Sequence, residues 1–376
     1  MPGRARHKRL DALRAIARQE WLLAVSAATC VVFAFAGGYI DSRLGEPFWF
    51  ALGFGTLFLV IGASALAVVR HADHLAAALG EPYGTLILTV SVTTIEVLSI
   101  SAVMLHGENN PALVRDTLFA IVMIILGGMV GLSLLAGGYR HREQHYNLQG
   151  ANAYLSVIIP LALLTLSLPN FTMTTPGPTL SKAQQVFLAV VALGLYCVFL
   201  LIQTGRHRGF FTADDGAEVH DARHDPGSPL RHALFLGLYI LPVVFLAEQL
   251  AHPIDYLIET MHLPAALGGV IIALVVATPE AISAVRAAVA NHLQRSINVF
   301  LGSVLSSIGL SVPIMLAVSY ATARPVQLGL NSANSFLLMV TLAVCVVSFA
   351  SGRTNVLQGA VHVVLFAAFV MLIFQG

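Results

Sequence analysis

Long apolar stretches without charged residues recur along this chain, and they constrain its fold more than any other feature. A helix that crosses a bilayer needs about 20 such residues in a row. Only 10% of the 376 residues are charged, 57% are hydrophobic, and the mean hydropathy is +0.81. A water-soluble protein carries about a quarter charged residues. The sequence therefore predicts an all-α polytopic membrane protein and excludes soluble enzymes.

Two further classes of protein are excluded by pattern and charge. Strands of outer-membrane barrels alternate apolar and polar residues, whereas the runs here are continuous. The chain carries 20 Lys+Arg against 19 Asp+Glu, so it lacks the broad basic surface of a nucleic-acid-binding protein. We expect a lipid bilayer as its surroundings and no nucleic-acid partner.

The apolar runs predict about eleven transmembrane helices. Their approximate bounds are 21–39, 48–69, 84–105, 116–138, 149–168, 184–203, 232–250, 264–286, 297–319, 332–350 and 355–375. The longest connection, 204–231, is hydrophilic and acidic, and it separates six helices from five. The predicted organisation is a basic N-terminus at 1–20, a first helix at 21–39, one five-helix unit at 48–203, the loop at 204–231 and a second five-helix unit at 232–376.

Positive charge predicts which connections face the cytoplasm, because short loops rich in Lys and Arg stay on that side. With a cytoplasmic N-terminus and eleven helices, sixteen cationic residues fall on the inner side by the helix assignment above, and four on the outer side. The outer four are Arg43, Arg115, Lys182 and Arg324. We therefore expect a bacterial inner-membrane protein whose N-terminus is cytoplasmic and whose C-terminus is periplasmic.

Two segments indicate an internal repeat. LTVSVTTIEVLSISAVML, ending at Leu105, is similar to LVVATPEAISAVRAAV, ending at Val289, and the alignment places Glu96 opposite Glu280. The predicted topology runs the two copies in opposite directions through the membrane. Inverted repeats are the arrangement that alternating-access transporters use.

Glu96 and Glu280 are the strongest candidates for function, because each lies near the middle of a predicted transmembrane helix. An unpaired charge at that depth is costly, so intramembrane carboxylates usually mark an ion or proton path. Carboxylate and hydroxyl oxygens suit hard cations such as Ca²⁺ and Na⁺. Both glutamates are predicted to bind the metal ion and, in its absence, protons; competition between the two ions would produce antiport.

Nearby hydroxyl groups supply candidate secondary ligands. They are Thr93, Thr94, Thr278 and Ser303. Ser303 lies on the predicted ninth helix, which also carries Asn298, Ser306 and Ser307, small residues that are more often used for packing than for ion binding. Pro279 precedes Glu280 and removes a backbone donor there. Most of the fourteen histidines fall in the predicted loops, and His207, His220 and His224 form one candidate pH-sensing group.

Other functions remain as alternatives with weaker support. Neither a Walker motif nor a dinucleotide fingerprint occurs in the sequence, so we expect no nucleotide partner, no cofactor and no enzymatic activity. An ion channel would use similar acidic groups without proton coupling. A sodium/calcium exchanger would differ from a proton antiporter only in the ion that drives it.

Three stretches give the chain a family resemblance. Gly80 to Val97 (GEPYGTLILTVSVTTIEV), Arg115 to Thr172 and Ala277 to Pro313 (ATPEAISAVRAAVANHLQRSINVFLGSVLSSIGLSVP) resemble the bacterial ChaA-type calcium/proton antiporters, in the calcium/proton exchanger branch of the cation/calcium exchanger superfamily. The resemblance implies two inverted five-helix repeats after an extra first helix, and exchange of Ca²⁺, with Na⁺ and K⁺ as further candidates, for H⁺.

The resemblance also assigns residues. The two essential acids of the family fall on Glu96 and Glu280, and its second Gly-Ser stretch falls on Gly302 and Ser303. The Gly-Asn pairs that many exchangers place before each acid are replaced here by Val92-Thr93 and Val276-Ala277. Fewer amide oxygens leave the cation preference open.

Overall fold

The computed structural model describes residues 18–80, 83–106, 110–211 and 228–375. Most of the predicted basic N-terminus (1–20) and most of the predicted acidic loop (204–231), with His220 and His224, lie outside the described residues. Their predicted roles stay predictions.

Eleven long helices make up most of the described chain, which confirms the predicted all-α membrane fold. They are α1 (Trp21–Asp41), α2 (Pro47–Leu79), α3 (Tyr83–His106), α4 (Leu113–His141), α5 (Leu148–Leu166), α6 (Lys182–Arg206), α7 (Pro229–Thr260), α8 (Ala266–Val289), α9 (Leu293–Thr322), α10 (Ser332–Ser348) and α11 (Val356–Gln375). Ten are long and apolar enough to cross a membrane, and α10 is an apolar helix of 17 residues. Short π-helical turns interrupt α4 at Ile124–Met129 and α9 at Ser307–Ser311.

Polar residues fix where several helices begin. The Asn147 side chain accepts hydrogen bonds from the first amides of α5, and Ser181 forms a capping box with Gln184 at the start of α6. Ser228 and Asn331 cap α7 and α10 in the same way. These side chains satisfy amides that the first helical turn leaves without partners, so each apolar run starts at a defined residue.

One end of the bundle, which we call the basic end, gathers the loops predicted to be cytoplasmic. Strand β1 (Glu143–His145) follows α4 and pairs antiparallel with β2 (Arg353–Asn355), which precedes α11. Gln144 also donates to the carbonyl of Ala288 at 2.8 Å, at the end of α8. Loops from both halves of the chain therefore meet on one side, as the charge pattern predicts.

The far end gathers the loops predicted to be external. The amide of Gln327 donates to the carbonyl of Pro111 at 2.8 Å, and the amide of Leu330 donates to the carbonyl of Leu166 at 2.9 Å. The Arg324 guanidinium donates to the carbonyl of Met104. The helices alternate in direction, so α1 begins at the basic end and α11 finishes at the far end.

The two halves run in opposite senses. Helix α3 ends beside Arg324 at the far end, whereas α8 ends beside His141 and Gln144 at the basic end. In each half a helix of 32 or 33 residues comes first, a glutamate-bearing helix second and a π-interrupted helix third. The long helices α2 and α7 pack along each other, and α1 packs on both. This order confirms an extra first helix followed by inverted five-helix units.

Candidate functional site

Helices α3 and α8 place the two glutamates at similar depth. Both lie near the middle of helices of 24 residues that run in opposite directions. Pro279 lies inside α8 directly before Glu280. Because proline has no N–H, the carbonyl of Val275 loses its usual helical partner. The backbone beside Glu280 therefore offers an oxygen that a regular helix would not.

A row of serines on α9 binds both glutamates. The hydroxyl of Ser307 donates to Glu96 Oε2 at 2.6 Å, and that of Ser311 donates to Glu96 Oε1 at 2.7 Å. The hydroxyl of Ser303 donates to Glu280 Oε2. One helix therefore holds a carboxylate from each half of the protein, and the two lie about one helical turn apart along it. Ser303, Ser307 and Ser311 are called the serine row below.

The π-helical turn over Ser307–Ser311 keeps the serine row on one face. In a regular α-helix of 3.6 residues per turn, side chains four positions apart drift steadily around the axis. A π turn contains more residues per turn and offsets this drift. Such turns also leave backbone carbonyls without regular helical partners and are frequent at functional sites.

Burial differs between the two glutamates. Glu96 is 1% exposed, and Ser307 and Ser311 are also buried, whereas Glu280 is half-buried. On the far side of Glu96, a small cavity between α2, α3, α7 and α8 is lined mainly by apolar side chains such as Ile61 and Leu250, with Ser99 among them. Glu280 is therefore the more exposed of the two glutamates, and the space on the far side of Glu96 has a mainly apolar lining.

The predicted threonine ligands are placed differently from one another. Thr93 lies one turn before Glu96, is buried, and its hydroxyl has no hydrogen-bond partner among the described residues. Thr94 donates to the carbonyl of Val90 at 2.6 Å, and Thr278 donates to that of Leu274 at 2.5 Å. Each is two positions before its glutamate, on the opposite face of the helix. The structure brings Ser303 to Glu280, leaves the buried Thr93 hydroxyl one turn from Glu96 without a hydrogen bond, and leaves Thr94 and Thr278 turned to their own backbones.

The sequence analysis missed Ser311 and favoured packing over ion binding for Ser307. Ser303, Ser307 and Ser311 follow one another at intervals of four, and this spacing was a usable signal because residues four apart share a helical face. Neighbouring polar groups have other partners: Ser306 donates to the carbonyl of Ser303 at 2.9 Å. Asn298 donates to the carbonyl of Phe211 at 2.6 Å and so anchors the chain that follows α6.

Helix α4, the counterpart of α9, contributes packing instead of oxygens. A Cβ atom at Gly131 would lie 2.7 Å from Val363 Cγ2, and one at Gly127 would lie 3.2 Å from Phe366 Cα. These glycines let α4 pack closely against α11. Nδ1 of His362 on α11 lies 2.6 Å from the carbonyl of Leu126 in the π turn of α4. The site is therefore asymmetric, with its hydroxyl donors supplied by the second half.

Three histidines of the described chain are buried inside helices. Of these, His71 falls in a predicted loop, whereas His232 and His362 fall within predicted helices. His71, His232 and His362 lie inside α2, α7 and α11, where neighbouring polar groups satisfy their ring nitrogens. Among the described residues, no three His, Cys, Asp or Glu side chains lie together as metal ligands. The candidate site thus offers two carboxylates with hydroxyl and carbonyl oxygens.

Sequence comparison finds relatives over most of the chain. The sequence profile of the family described as sodium/calcium exchanger protein matches residues 49–205 and 231–375. A protein of Sinorhizobium fredii named as an ionic transporter, y4hA, is 45% identical over 84% of this chain and 86% of its own. The sodium-potassium/proton antiporter ChaA of Escherichia coli is 40% identical over 85% of this chain and 88% of its own.

Solved structures share the fold. YfkE superposes with a TM-score of 0.73 at 18% identity, covering 94% of this chain and all of the YfkE chain. The H⁺/Ca²⁺ exchanger CAX superposes with a TM-score of 0.66 at 13% identity, covering 96% of this chain and 89% of the CAX chain. At these identities the likeness concerns the fold.

Proposed function

The chain belongs to the sodium/calcium exchanger family, and we propose that it exchanges Ca²⁺ for H⁺ across the bacterial inner membrane, with Na⁺ and K⁺ as further substrates. It is a multi-pass secondary transporter and not an enzyme. In this proposal the ion gradients alone drive transport, without nucleotide or cofactor. The positive-inside pattern supports a cytoplasmic basic end and a periplasmic far end.

The observation that carries the proposal is the joint attachment of Glu96 and Glu280 to the serine row. Two ionised carboxylates in a buried site need compensating positive charge. One Ca²⁺ or two protons supply the same charge, so the two compete for one site. Exchange follows when the site releases a cation on one side of the membrane, binds protons there and is then exposed to the other side.

The oxygen donors suit alkali and alkaline-earth cations. Glu96 and Glu280 are the proposed metal ligands, and Ser303 and Thr93 are the secondary ligands that the geometry supports. Thr94 and Thr278 would have to release their backbone carbonyls before they could contribute. Hard oxygen ligands fit Ca²⁺, Na⁺ and K⁺ and disfavour soft metals.

The names of relatives support more than one cation. Besides the sodium-potassium/proton antiporter of E. coli, a Ca²⁺/H⁺ antiporter of Synechocystis is 24% identical over 85% of this chain. Each of the two carboxylates can be ionised or protonated. The site therefore accommodates one divalent ion when both protons leave, or monovalent ions when fewer protons leave. We propose Ca²⁺ as the principal substrate.

Reconstituted protein tests the proposal. Proteoliposomes with an internal acid pH and a pH-sensitive dye would receive Ca²⁺, Na⁺, K⁺ or Mg²⁺ separately. We expect Ca²⁺ to dissipate the proton gradient, with smaller responses to Na⁺ and K⁺. No response to any cation, together with Ca²⁺ uptake driven by a sodium gradient, would instead establish a sodium/calcium exchanger.

A further inference from the structure

A second cluster of ionisable side chains lies at the basic end, away from the two glutamates of the site. It comprises Glu20, which directly precedes α1, Arg70 and His71 of α2, and His232 of α7. We call these four residues the clasp. The side chains of Glu20 and His71 are 4% and 1% exposed, and His232 is buried. The clasp joins three helices through charged groups that are mostly shielded from water.

Glu20 ties the beginning of α1 to both long helices. Its Oε2 accepts from the Arg70 guanidinium at 2.6 Å and from the Tyr239 hydroxyl of α7 at 3.1 Å, and it lies 3.3 Å from Nε2 of His71. Its second oxygen, Oε1, is buried without a hydrogen-bond partner. A second tie, Ser26 of α1 to Ser64 of α2 at 2.8 Å, lies deeper in the bundle.

His71 and His232 face each other through the same ring atom. Their Nδ1 atoms lie 3.0 Å apart, a hydrogen-bond distance. One Nδ1 must therefore carry a hydrogen and the other must accept it. If both rings were cationic, two N–H groups would point at each other. The closed clasp thus accommodates at most one positive charge on this pair.

The number of protons that each state binds determines whether acid opens or closes the clasp. Imidazoles that are separated and solvated bind protons with an ordinary pKa of about 6.5, so an open clasp takes up two protons at acidic pH. The closed clasp takes up one at most, and the state that binds more protons is favoured as pH falls. We propose that the clasp is a proton-operated switch, which holds α1 against α2 and α7 at neutral and alkaline pH and releases it in acid.

The surrounding cations favour the same direction, whereas the Glu20 carboxylate, 3.3 Å from Nε2 of His71, opposes it. The ring of His74 stacks on that of His232 with centroids 4.6 Å apart, and Arg70 and Arg231 add positive charge nearby. Asp73 is exposed and interacts with Arg295 of α9 and with His74. Among the described residues, Arg18, Tyr83 of α3 and Arg286 of α8 also lie at this end, and each is exposed. Arg70 and Arg231 therefore disfavour a second positive charge on the histidine pair.

The position of the clasp gives the switch a consequence. Helices α2 and α7 begin the two inverted units and pack along each other, and alternating access requires some helices of the bundle to move against others. A closed clasp fastens α1 across both. Acid at the basic end would therefore alter exchange through the attachment of α1, separately from the protons that bind at Glu96 and Glu280.

Spin labels on either side of the clasp test the switch directly. The Arg231 guanidinium donates to Gln19 Oε1 at 2.9 Å, so Gln19→Cys and Arg231→Cys place two labels close together. Three native cysteines would first be replaced by alanine: Cys30, Cys197 and Cys345. Dipolar broadening of the continuous-wave EPR spectrum then reports their separation in detergent or nanodiscs. We expect strong broadening at pH 8 and loss of most of it at pH 5.5.

Variants separate the proposed cause from other effects of acid. His71→Gln with His232→Gln keeps hydrogen-bonding amides that do not titrate, so the broadening should persist at both pH values. His74→Gln, a matched change in a ring that only stacks on His232, should retain the acid response. Broadening that survives at pH 5.5 with the native histidines would overturn the proposal, and so would an acid loss that persists in the double variant. The measurement uses no ion gradient, so its result is independent of whether the protein exchanges Ca²⁺ for H⁺.

Discussion

Ser307 of α9 donates a hydrogen bond of 2.6 Å to Glu96 of α3, although 211 positions separate the two residues in the chain. Ser303, one turn earlier on the same helix, donates to Glu280 of α8. The helix of one inverted unit therefore couples the acidic residues of both. Helix α9 thus holds together the two glutamates of the proposed site.

Removing the donors to Glu96 should weaken cation binding. In Ser307→Ala with Ser311→Ala, the carboxylate loses two hydrogen bonds that stabilise its charged form, each contributing about 1.5–3 kcal/mol. Protons then compete better, and we expect half-maximal exchange to need at least about tenfold more cation. Initial rates of Ca²⁺-dependent proton release against Ca²⁺ concentration measure this. Ser306→Ala is the control because that hydroxyl donates to a backbone carbonyl, and an equal defect in it would contradict the assignment.

Substitutions of the three threonines should differ in their effects on cation affinity. Thr93→Val removes a buried hydroxyl beside Glu96 that is available to a bound ion, and a neutral hydrogen-bonding group of this kind changes affinity by about two- to tenfold. Thr94→Val and Thr278→Val should leave half-saturation close to the unsubstituted value, since both hydroxyls donate to their own helices. A defect in Thr278→Val as large as that in Thr93→Val would show that Thr278 turns toward the ion.

Proton competition should depend on the charge of the transported ion. Because metal ions bind deprotonated ligands, cation affinity rises with pH. Displacement of two protons makes the half-saturating Ca²⁺ concentration fall by up to about a hundredfold per pH unit in acid, against about tenfold for Na⁺ displacing one. Exchange rates across a pH series for each ion measure the two slopes. Equal slopes for Ca²⁺ and Na⁺ would contradict a shared pair of carboxylates.

Because α4 packs closely on α11, we expect substitution by alanine to destabilise the protein at Gly131 and to be tolerated at Gly128. A Cβ at Gly131 would lie 2.7 Å from Val363 Cγ2 and 2.9 Å from the Val363 backbone nitrogen, whereas the nearest atoms at Gly128 are 3.5 Å away. Overpacking of this kind costs about 1–3 kcal/mol. We expect Gly131→Ala to lower the midpoint of thermal unfolding in detergent and Gly128→Ala to leave it unchanged. Equal midpoints would show that α4 and α11 separate without cost.

Part of this architecture is predictable from the sequence because the bilayer imposes it. Uninterrupted apolar runs give the eleven helices, the distribution of arginines gives the loops that share an end, and a carboxylate inside an apolar run identifies Glu96 and Glu280. Each of these signals depends on local composition.

The remaining features depend on contacts between distant segments. Serine is common in membrane helices as a packing residue, so the spacing of Ser311 shows which face of α9 it shares but not that Glu96, 215 positions away, lies against that face. The π turn that keeps the serine row on one face follows from tertiary packing. The clasp also escapes prediction, since His71 and His232 resemble ordinary residues near helix ends until α2 and α7 bring them together.

The most direct test of the central claim replaces each glutamate by glutamine in reconstituted protein. Glu96→Gln and Glu280→Gln keep the size of the side chain and remove the charge that cation and protons share. We predict that either variant abolishes Ca²⁺-dependent dissipation of a proton gradient, while Glu259→Gln, an exposed change at the far end, retains it. Exchange that persists in folded Glu96→Gln or Glu280→Gln protein would contradict the account.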